Sequence, residues 1–282
     1  MDKKLKLAVI GSPIKHSKSP QIHKSFAIQK GIEIDFLKEE VKPEALSNWL
    51  DDFFTSGGAG LSITLPLKEL AINYADNVTE RAKLASSANV LYKKDLKIIA
   101  DNTDGHGLVT DLVKNKEFQI KDKKLLILGS GGATRGLLPA LLKEEPHSIT
   151  IANRTKRKAE KIVEDLKSKE NFTFNSNLIT GGLTDVFLSS SEYDLILNAT
   201  SASIDPNSPL KLPKKIFSNC SLALDLYYSE KTSAFLEEAL SGGANIAVDG
   251  YGMLVEQGAE SFRLWTNLIP DTSRLLISNQ KR

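Results

Sequence analysis

The chain has 282 residues, 41% of them hydrophobic, and a formal net charge of +2. That length exceeds what one hydrophobic core usually serves, so two domains are expected. The small net charge excludes a general nucleic-acid or membrane-attracted surface, and the single cysteine, Cys220, excludes an intramolecular disulfide and a cysteine-rich metal site.

The charged start at Asp2, Lys3 and Lys4 runs into an apolar stretch at residues 7–10, which Gly11 and Pro13 end. It is too short for the apolar region of a signal peptide or for a membrane span, so it predicts a first strand and, by default, a cytoplasmic protein. Ser19 and Pro20 predict the N-cap and first residue of a helix that Gly31 closes. Leu46, Trp49, Leu50, Phe53 and Phe54 recur at helical spacing, predicting a helix over residues 43–55 with one buried face. Gly57, Gly58 and Gly60 break it before a short strand at residues 61–64 that stops at Pro66. Residues 89–92 and 97–100 read as a strand pair across a Lys-Asp turn. From Asp104 a linking helix extends to about Asn115. Further strands are predicted at residues 125–128, 148–152, 195–197, 222–226 and 246–248, and helices after the glycine turn, over 233–240 and over 253–264. This alternation is that of an α/β protein with mostly parallel sheets.

Residues 125–158 suit a dinucleotide. An apolar strand runs into the glycine turn GSGGATRG, then a helix bearing Leu137, Leu138, Leu141 and Leu142, then a second apolar strand that ends at NRTKRK. Gly129 lets the chain turn sharply, and Gly131 and Gly132 remove side chains that would keep a pyrophosphate from the backbone. With Ser130 and Ala133 they are candidate phosphate-binding residues, although Thr134 occupies the third glycine position of the fingerprint. An NAD site usually places a carboxylate beyond the second strand for the ribose 2′-hydroxyl, whereas a cation accommodates a 2′-phosphate. Here Asn153, Arg154 and Thr155 are followed by Lys156, Arg157 and Lys158, which favours NADP. Cations at a helix N-terminus also oppose its dipole, a cost that a nearby anion would relieve.

Three segments are unusually polar beside apolar strands: PIKHSKSP (13–20), SITLPLK (62–68) and DNTDG (101–105). Together with the glycine turn, NRT, the NATS of residues 198–201 and DGYGMLVEQ (249–257), in this order over nearly the whole chain, they resemble the shikimate dehydrogenase family. The resemblance implies an N-terminal α/β substrate-binding and catalytic domain (residues 1–104 and 249–282), a Rossmann-like NADP-binding domain (105–248), and a C-terminal helix that returns to the first domain with Gln257. The active site would lie in the cleft between them. It implies reversible NADP-dependent reduction of 3-dehydroshikimate to shikimate, a step of aromatic amino-acid (chorismate) biosynthesis. The expected partner is a small-molecule substrate, with no nucleic acid, membrane or metal, in a monomer or homodimer.

Hydride transfer to a ketone makes an alkoxide-like oxygen, so the site needs a group that stabilises negative charge and delivers a proton. By resemblance Lys68 is that group and Asp104 its partner carboxylate. Ser17 and Ser19 match the carboxylate-binding serines, Thr64, Asn89 and Gln257 would hydrogen-bond the substrate, and Tyr228 would approach its carboxylate. The cofactor set comprises the glycine turn, Asn153, Arg154, Thr155, Lys158, Thr200, Gly250 and Met253.

The chain departs from the family's pattern at several positions. N-V-T-x-P-x-K has Ser62 for Asn and Ile63 for Val; A-V-N-T becomes Ser87, Ala88, Asn89, Val90; Ser203 stands at the glycine of N-A-T-S-x-G; and Lys158 replaces an arginine, losing bidentate geometry. Ser62 and Val90 motivate a second expectation, a paralogue acting on quinate or an aminated shikimate analogue. A non-catalytic NADP-binding regulator would need neither Lys68 nor Asp104. His16 and His23 lack ligand-spaced companions, so surface or capping positions are expected for both.

Overall fold

The computed structural model describes residues 4–185, 192–203, 210 and 212–280. The chain divides into two compact units, Met1–Leu108 with Leu254–Arg282, and Val109–Met253. Among the described residues no helix is long and apolar enough to cross a membrane.

In the first unit the apolar run lies within β1 (Leu5–Gly11), buried from Leu7 onward. α1 (Ser19–Lys30) ends at Gly31, whose φ of 66° is left-handed and suits a residue without Cβ. The start of α1 corrects the expectation for Ser19 and Pro20. Lys18 is the cap residue, and Ser19 and Pro20 are already helical, because the Ser17 hydroxyl accepts the Ser19 backbone N–H at 3.3 Å. After β2 (Ile34–Glu40), the expected helix over 43–55 is a 3₁₀ turn, Pro43–Ala45, followed by α2 (Leu46–Thr55). Leu46, Leu50, Phe53 and Phe54 pack with Ala8, Ile10, Leu61 and Ile63 on one face of the sheet.

β3 (Gly58–Ile63), α3 (Lys68–Ala71), β4 (Asn77–Val78) and α4 (Glu80–Ala85) follow, then the hairpin of β5 (Val90–Lys94) and β6 (Lys97–Asp101), then α5 (Asp104–Thr110). The turn of the hairpin is Asp95-Leu96, not Lys94-Asp95. Lys94 pairs with Lys97, and φ is positive at both loop residues, 49° and 66°, as a two-residue hairpin turn of this twist requires. The sheet order is β2-β1-β3-β5-β6-β4. β1 and β3 are parallel, while β5 runs antiparallel to β3 and β6. The ends of β1, β3 and β6 and the start of β5 therefore share one edge of the sheet.

The second unit holds β7 (Lys124–Leu128), α6 (Gly132–Lys143), β8 (Ser148–Asn153), α7 (Lys156–Lys167), β9 (Asn177–Gly182), β10 (Leu195–Asn198), β11 (Leu222–Asp225), α8 (Ala234–Ser241) and β12 (Ile246–Asp249). All strand pairs are parallel, in the order β12-β11-β10-β7-β8-β9. The chain moves outward from β7 to β9, then returns to β10 on the other side of β7. This reversal makes a crevice at the carboxyl ends of β7 and β10, where open parallel sheets bind ligands.

α9 (Tyr251–Thr266) and α10 (Ser273–Gln280) close the described chain. In the first unit, Trp265 packs with Leu7, Val9, Ile14 and Phe36, and its indole fills the space that a Cβ on Gly60 would need. His23 is a further correction. His16 is exposed, but His23 is fully buried, stacked on Phe36 at 5.0 Å and tilted against Trp265 at 4.7 Å between ring centroids. α1 presents it to the sheet with Ile22 and Phe26. Neither ring nitrogen has a hydrogen-bond partner among the described residues, and burial pushes its pKa down to about 3.

Candidate active site

Because the ends of β3 and β6 and the start of β5 share an edge, the segments carrying Lys68, Asp104 and Asn89 converge. Leu67, fully buried, anchors the turn into α3, and the Lys68 carbonyl accepts the Ala88 N–H at 2.9 Å. Lys68 Nζ donates to Asp104 Oδ2 at 2.5 Å, with 16% and 7% of the two side chains exposed. Asn89 Nδ2 donates to Asp104 Oδ1 at 2.8 Å, to Thr103 Oγ1 at 3.0 Å and to Gln257 Oε1 at 3.1 Å. Its Oδ1 accepts the Thr103 N–H at 2.8 Å, so a backbone donor and a carboxylate together fix the amide's orientation. Asp104 thus has both oxygens engaged, while an ammonium group has two further N–H bonds to offer a ligand.

Ser17, just before α1, Ser19, at its first residue, and Thr64, just after β3, lie at the same edge. The Ser12 N–H donates to the Leu65 carbonyl and the Thr64 N–H to the Ile10 carbonyl, both at 2.9 Å, and a Cβ on Gly11 would collide with the Thr64 methyl. Ser17 Oγ donates to Ser19 Oγ at 3.2 Å. Ser62 sits directly opposite Val90 in the β3–β5 register, its hydroxyl buried without a hydrogen-bond partner among the described residues.

Behind this edge is an ion network that the sequence reading missed. Arg81 donates to both Asp101 oxygens, at 3.0 and 2.6 Å, and to Glu260 at 2.8 Å; Arg263 also holds Glu260, at 2.7 Å. Burial raises the Glu260 pKa, but the bonds from Arg263 and Arg81 outweigh it and bring it down to about 2. Asp101 also accepts the Asn102 N–H at 2.7 Å, which pins the segment leading to Asp104. The polarity of DNTDG was a local signal for Asn102 and Thr103. For Arg81 there was none, since its partners are distant in the chain.

In the second unit, Gly129 has a φ of 103°, and a Cβ there would lie 3.0 Å from both the Ala199 oxygen and the Thr200 methyl. Thr134 is fully buried and donates its hydroxyl to the Gly129 carbonyl at 2.9 Å, so threonine at the third glycine position braces the turn. Gly131 caps α6, no side chain caps the helix, and a Cβ on Gly131 would meet nothing within 4 Å. The turn, with Ser130, Gly132 and Ala133, thus offers an open helix N-terminus suited to an anion.

At the end of β8, Asn153 Nδ2 donates to the Thr155 carbonyl at 3.0 Å, and Arg154, Thr155 and Lys158 are exposed. The first turn of α7 has neither an acidic residue nor a side-chain cap. Arg157 is held by Glu164 at 2.6 Å and Glu160 at 3.5 Å, whereas Arg154 and Lys158 have no carboxylate partner among the described residues. These residues fit a phosphorylated ribose. Thr200 donates its N–H and hydroxyl to Asn198 Oδ1 at 3.1 and 2.7 Å. Gly250 follows β12 where a Cβ would strike the Leu226 carbonyl. Tyr228 and Met253, both half-buried, belong to this unit too.

A phosphate cradle at a sheet switch point, carried on one chain with a hydrogen-bonded lysine–carboxylate pair, defines the class as an α/β nicotinamide-nucleotide oxidoreductase. Models of the shikimate dehydrogenase substrate-binding domain, shikimate/quinate 5-dehydrogenase and the shikimate 5′-dehydrogenase C-terminal domain match residues 9–91, 111–205 and 250–274. An NADP(+) shikimate dehydrogenase of Legionella pneumophila (strain Corby) is 43% identical, with 96% of this chain and 97% of that protein covered. The crystal structure of an Ael1 enzyme from Pseudomonas putida superposes with a TM-score of 0.89 at 36% identity, covering 98% of each chain. That of shikimate 5-dehydrogenase from Thermus thermophilus with NADP(H) and shikimate gives 0.83 at 29% identity, covering 98% of this chain and 99% of that one. The chain belongs to the shikimate dehydrogenase family.

Proposed function

We propose that this chain catalyses the reversible, NADP-dependent reduction of 3-dehydroshikimate to shikimate, a step towards the aromatic amino acids. The observation that carries the reading is the Lys68–Asp104 pair, tied through Asn89 to Gln257. NADPH, when bound, supplies the hydride. Lys68 Nζ gives the proton to the oxygen that becomes the alcohol, and in the reverse direction takes it back; Asp104 holds Nζ in place and balances its charge. Ser17 and Ser19 bind the substrate carboxylate as neutral donors, joined by Tyr228, while Thr64, Asn89 and Gln257 bind ring hydroxyls. Such donors and acceptors discriminate against a compound lacking a hydroxyl, because a buried polar group left unmet is costly.

The cofactor is held by the backbone of Gly129, Ser130, Gly131, Gly132 and Ala133, by Asn153, Arg154, Thr155 and Lys158 at the ribose phosphate, and by Thr200, Gly250 and Met253. On this reading the substrate domain is residues 1–104 and 249–282 and the cofactor domain 105–248, bounds that lie within five residues of the compact units 1–108 with 254–282 and 109–253. By the same reading the protein works in the cytoplasm as a monomer or homodimer. Replacing Lys68 tests the chemistry: Lys68→Ala lowers kcat by about 10²- to 10⁴-fold with shikimate binding largely preserved. Unchanged turnover would remove Lys68 from the mechanism.

The unpartnered Ser62 hydroxyl opposite Val90 favours one second reading, a preference for quinate or an aminated analogue. Steady-state turnover of shikimate and quinate, each with NADP and NAD, separates the two. Equal or better use of quinate with NAD would displace the first.

A further inference from the structure

Asp225 is fully buried at the end of β11, and among the described residues only neutral groups hold it. Oδ2 accepts the hydroxyls of Ser203 and Ser233, each at 2.5 Å; Oδ1 accepts Asn198 Nδ2 at 3.1 Å and the Tyr227 N–H at 3.2 Å. A buried carboxylate requires such donors, and hydrogen bonds to a charge are the strong ones. Two of the four donors come from the loop after β10. Asn198 begins that loop and also donates to Ser203 Oγ at 3.1 Å; Ser203 stands at its far side. Between them Thr200 binds Asn198 Oδ1 and accepts the Ala202 N–H at 3.2 Å. The Ala199 carbonyl oxygen and the Thr200 methyl crowd Gly129, each 3.0 Å from where a Cβ would stand. One path therefore runs from Ser203 through Asp225 and Asn198 to Thr200 and the glycine turn, at the crevice between β7 and β10.

We infer that Ser203 is a positioning residue for the cofactor, a clasp that holds the loop 198–203 against the glycine turn and thereby strengthens NADP binding. The inference rests on the NADP reading above. A glycine at this position would supply no hydroxyl for Asp225. Without the hydroxyl, Asp225 loses a donor and the loop loses the tie at its far side.

The test is the NADP⁺ dissociation constant by titration calorimetry for the wild type, Ser203→Ala, Ser203→Gly and Ser203→Thr, with the thermal midpoint and the KM for shikimate measured alongside. Ser203→Ala and Ser203→Gly are expected to weaken NADP⁺ about tenfold, the worth of one hydrogen bond to a charged group. They should leave the KM for shikimate unchanged, and Ser203→Thr should recover most of the affinity. Equal NADP⁺ binding by the wild type and Ser203→Ala, with or without a lower thermal midpoint, would overturn the clasp alone, as would a Ser203→Thr protein no better than Ser203→Ala. A wild-type protein that fails to bind NADP⁺ would overturn the cofactor reading and the clasp with it.

Discussion

A histidine sealed among Phe26, Phe36, Phe262 and Trp265 with no hydrogen bond is stable only as the neutral imidazole, because a buried charge without a partner is expensive. His23 has a pKa of about 3 in the folded protein against an ordinary 6.5, so below pH 6.5 the unfolded chain takes up a proton that the folded one refuses. Its contribution to stability is intact above pH 6.5 and is lost as the pH falls towards 3. Between pH 6.5 and 5 the loss is about 2 kcal/mol. Urea unfolding of wild type and His23→Phe at pH 7.5 and pH 5 measures it. The variant, whatever its stability at pH 7.5, should lack that part of the acid dependence, and parallel losses in both proteins would contradict the assignment. The sequence does not disclose this burial, because α1 mixes polar and apolar residues and only the packing of α9 shows which face is sealed. Lys68 and Asp104 are legible differently. Lys68 alone is an unremarkable surface lysine by local pattern, Asp104 is one member of a polar segment, and the spaced motifs around them single them out.

At the scale of elements, α7 begins with Lys156, Arg157 and Lys158 and has no acidic residue in its first turn, an arrangement that works against its own dipole. Arg157 is neutralised by Glu160 and Glu164 one and two turns on, which leaves Arg154 and Lys158 to meet an anion. Arg154→Gln is expected to weaken NADP⁺ by about 10- to 100-fold, the range for hydrogen bonds to a charged group, and to leave NAD⁺ binding nearly unchanged. Fluorescence titration with both nucleotides decides the matter, and equal losses would mean that Arg154 does not meet the 2′-phosphate. Central strands such as β7, β10 and β11 are readable from sequence because all or nearly all of their residues are buried, giving continuous apolar runs. The edge strands β2 and β9 are not. Each buries a single residue, Phe36 and Gly181, and their remaining polar residues look like loop.

The whole chain interleaves its two units, since Leu254–Arg282 belongs with Met1–Leu108. Within that unit α9 supplies Phe262 and Trp265 to the aromatic cluster around His23, Glu260 to Arg81, and Gln257 to Asn89. Truncating two such aromatics costs about 6–10 kcal/mol, comparable with a whole domain's net stability of about 5–15 kcal/mol. A chain stopped after Met253 should therefore lose amide protection in β1, β3 and β5 while β7, β8 and β10 keep theirs, as hydrogen exchange would show; full protection in the first sheet would refute it. The helical periodicity of residues 253–264 announces a helix but not the sheet it covers, and only the resemblance carried by DGYGMLVEQ pointed back to the first unit. The same interleaving dictates an order of events on the ribosome. The first sheet is translated before any of the second unit, yet it waits for α9, so the second unit is complete while the first still exposes the apolar face of β1 and β3 to whatever chaperone or neighbour is at hand.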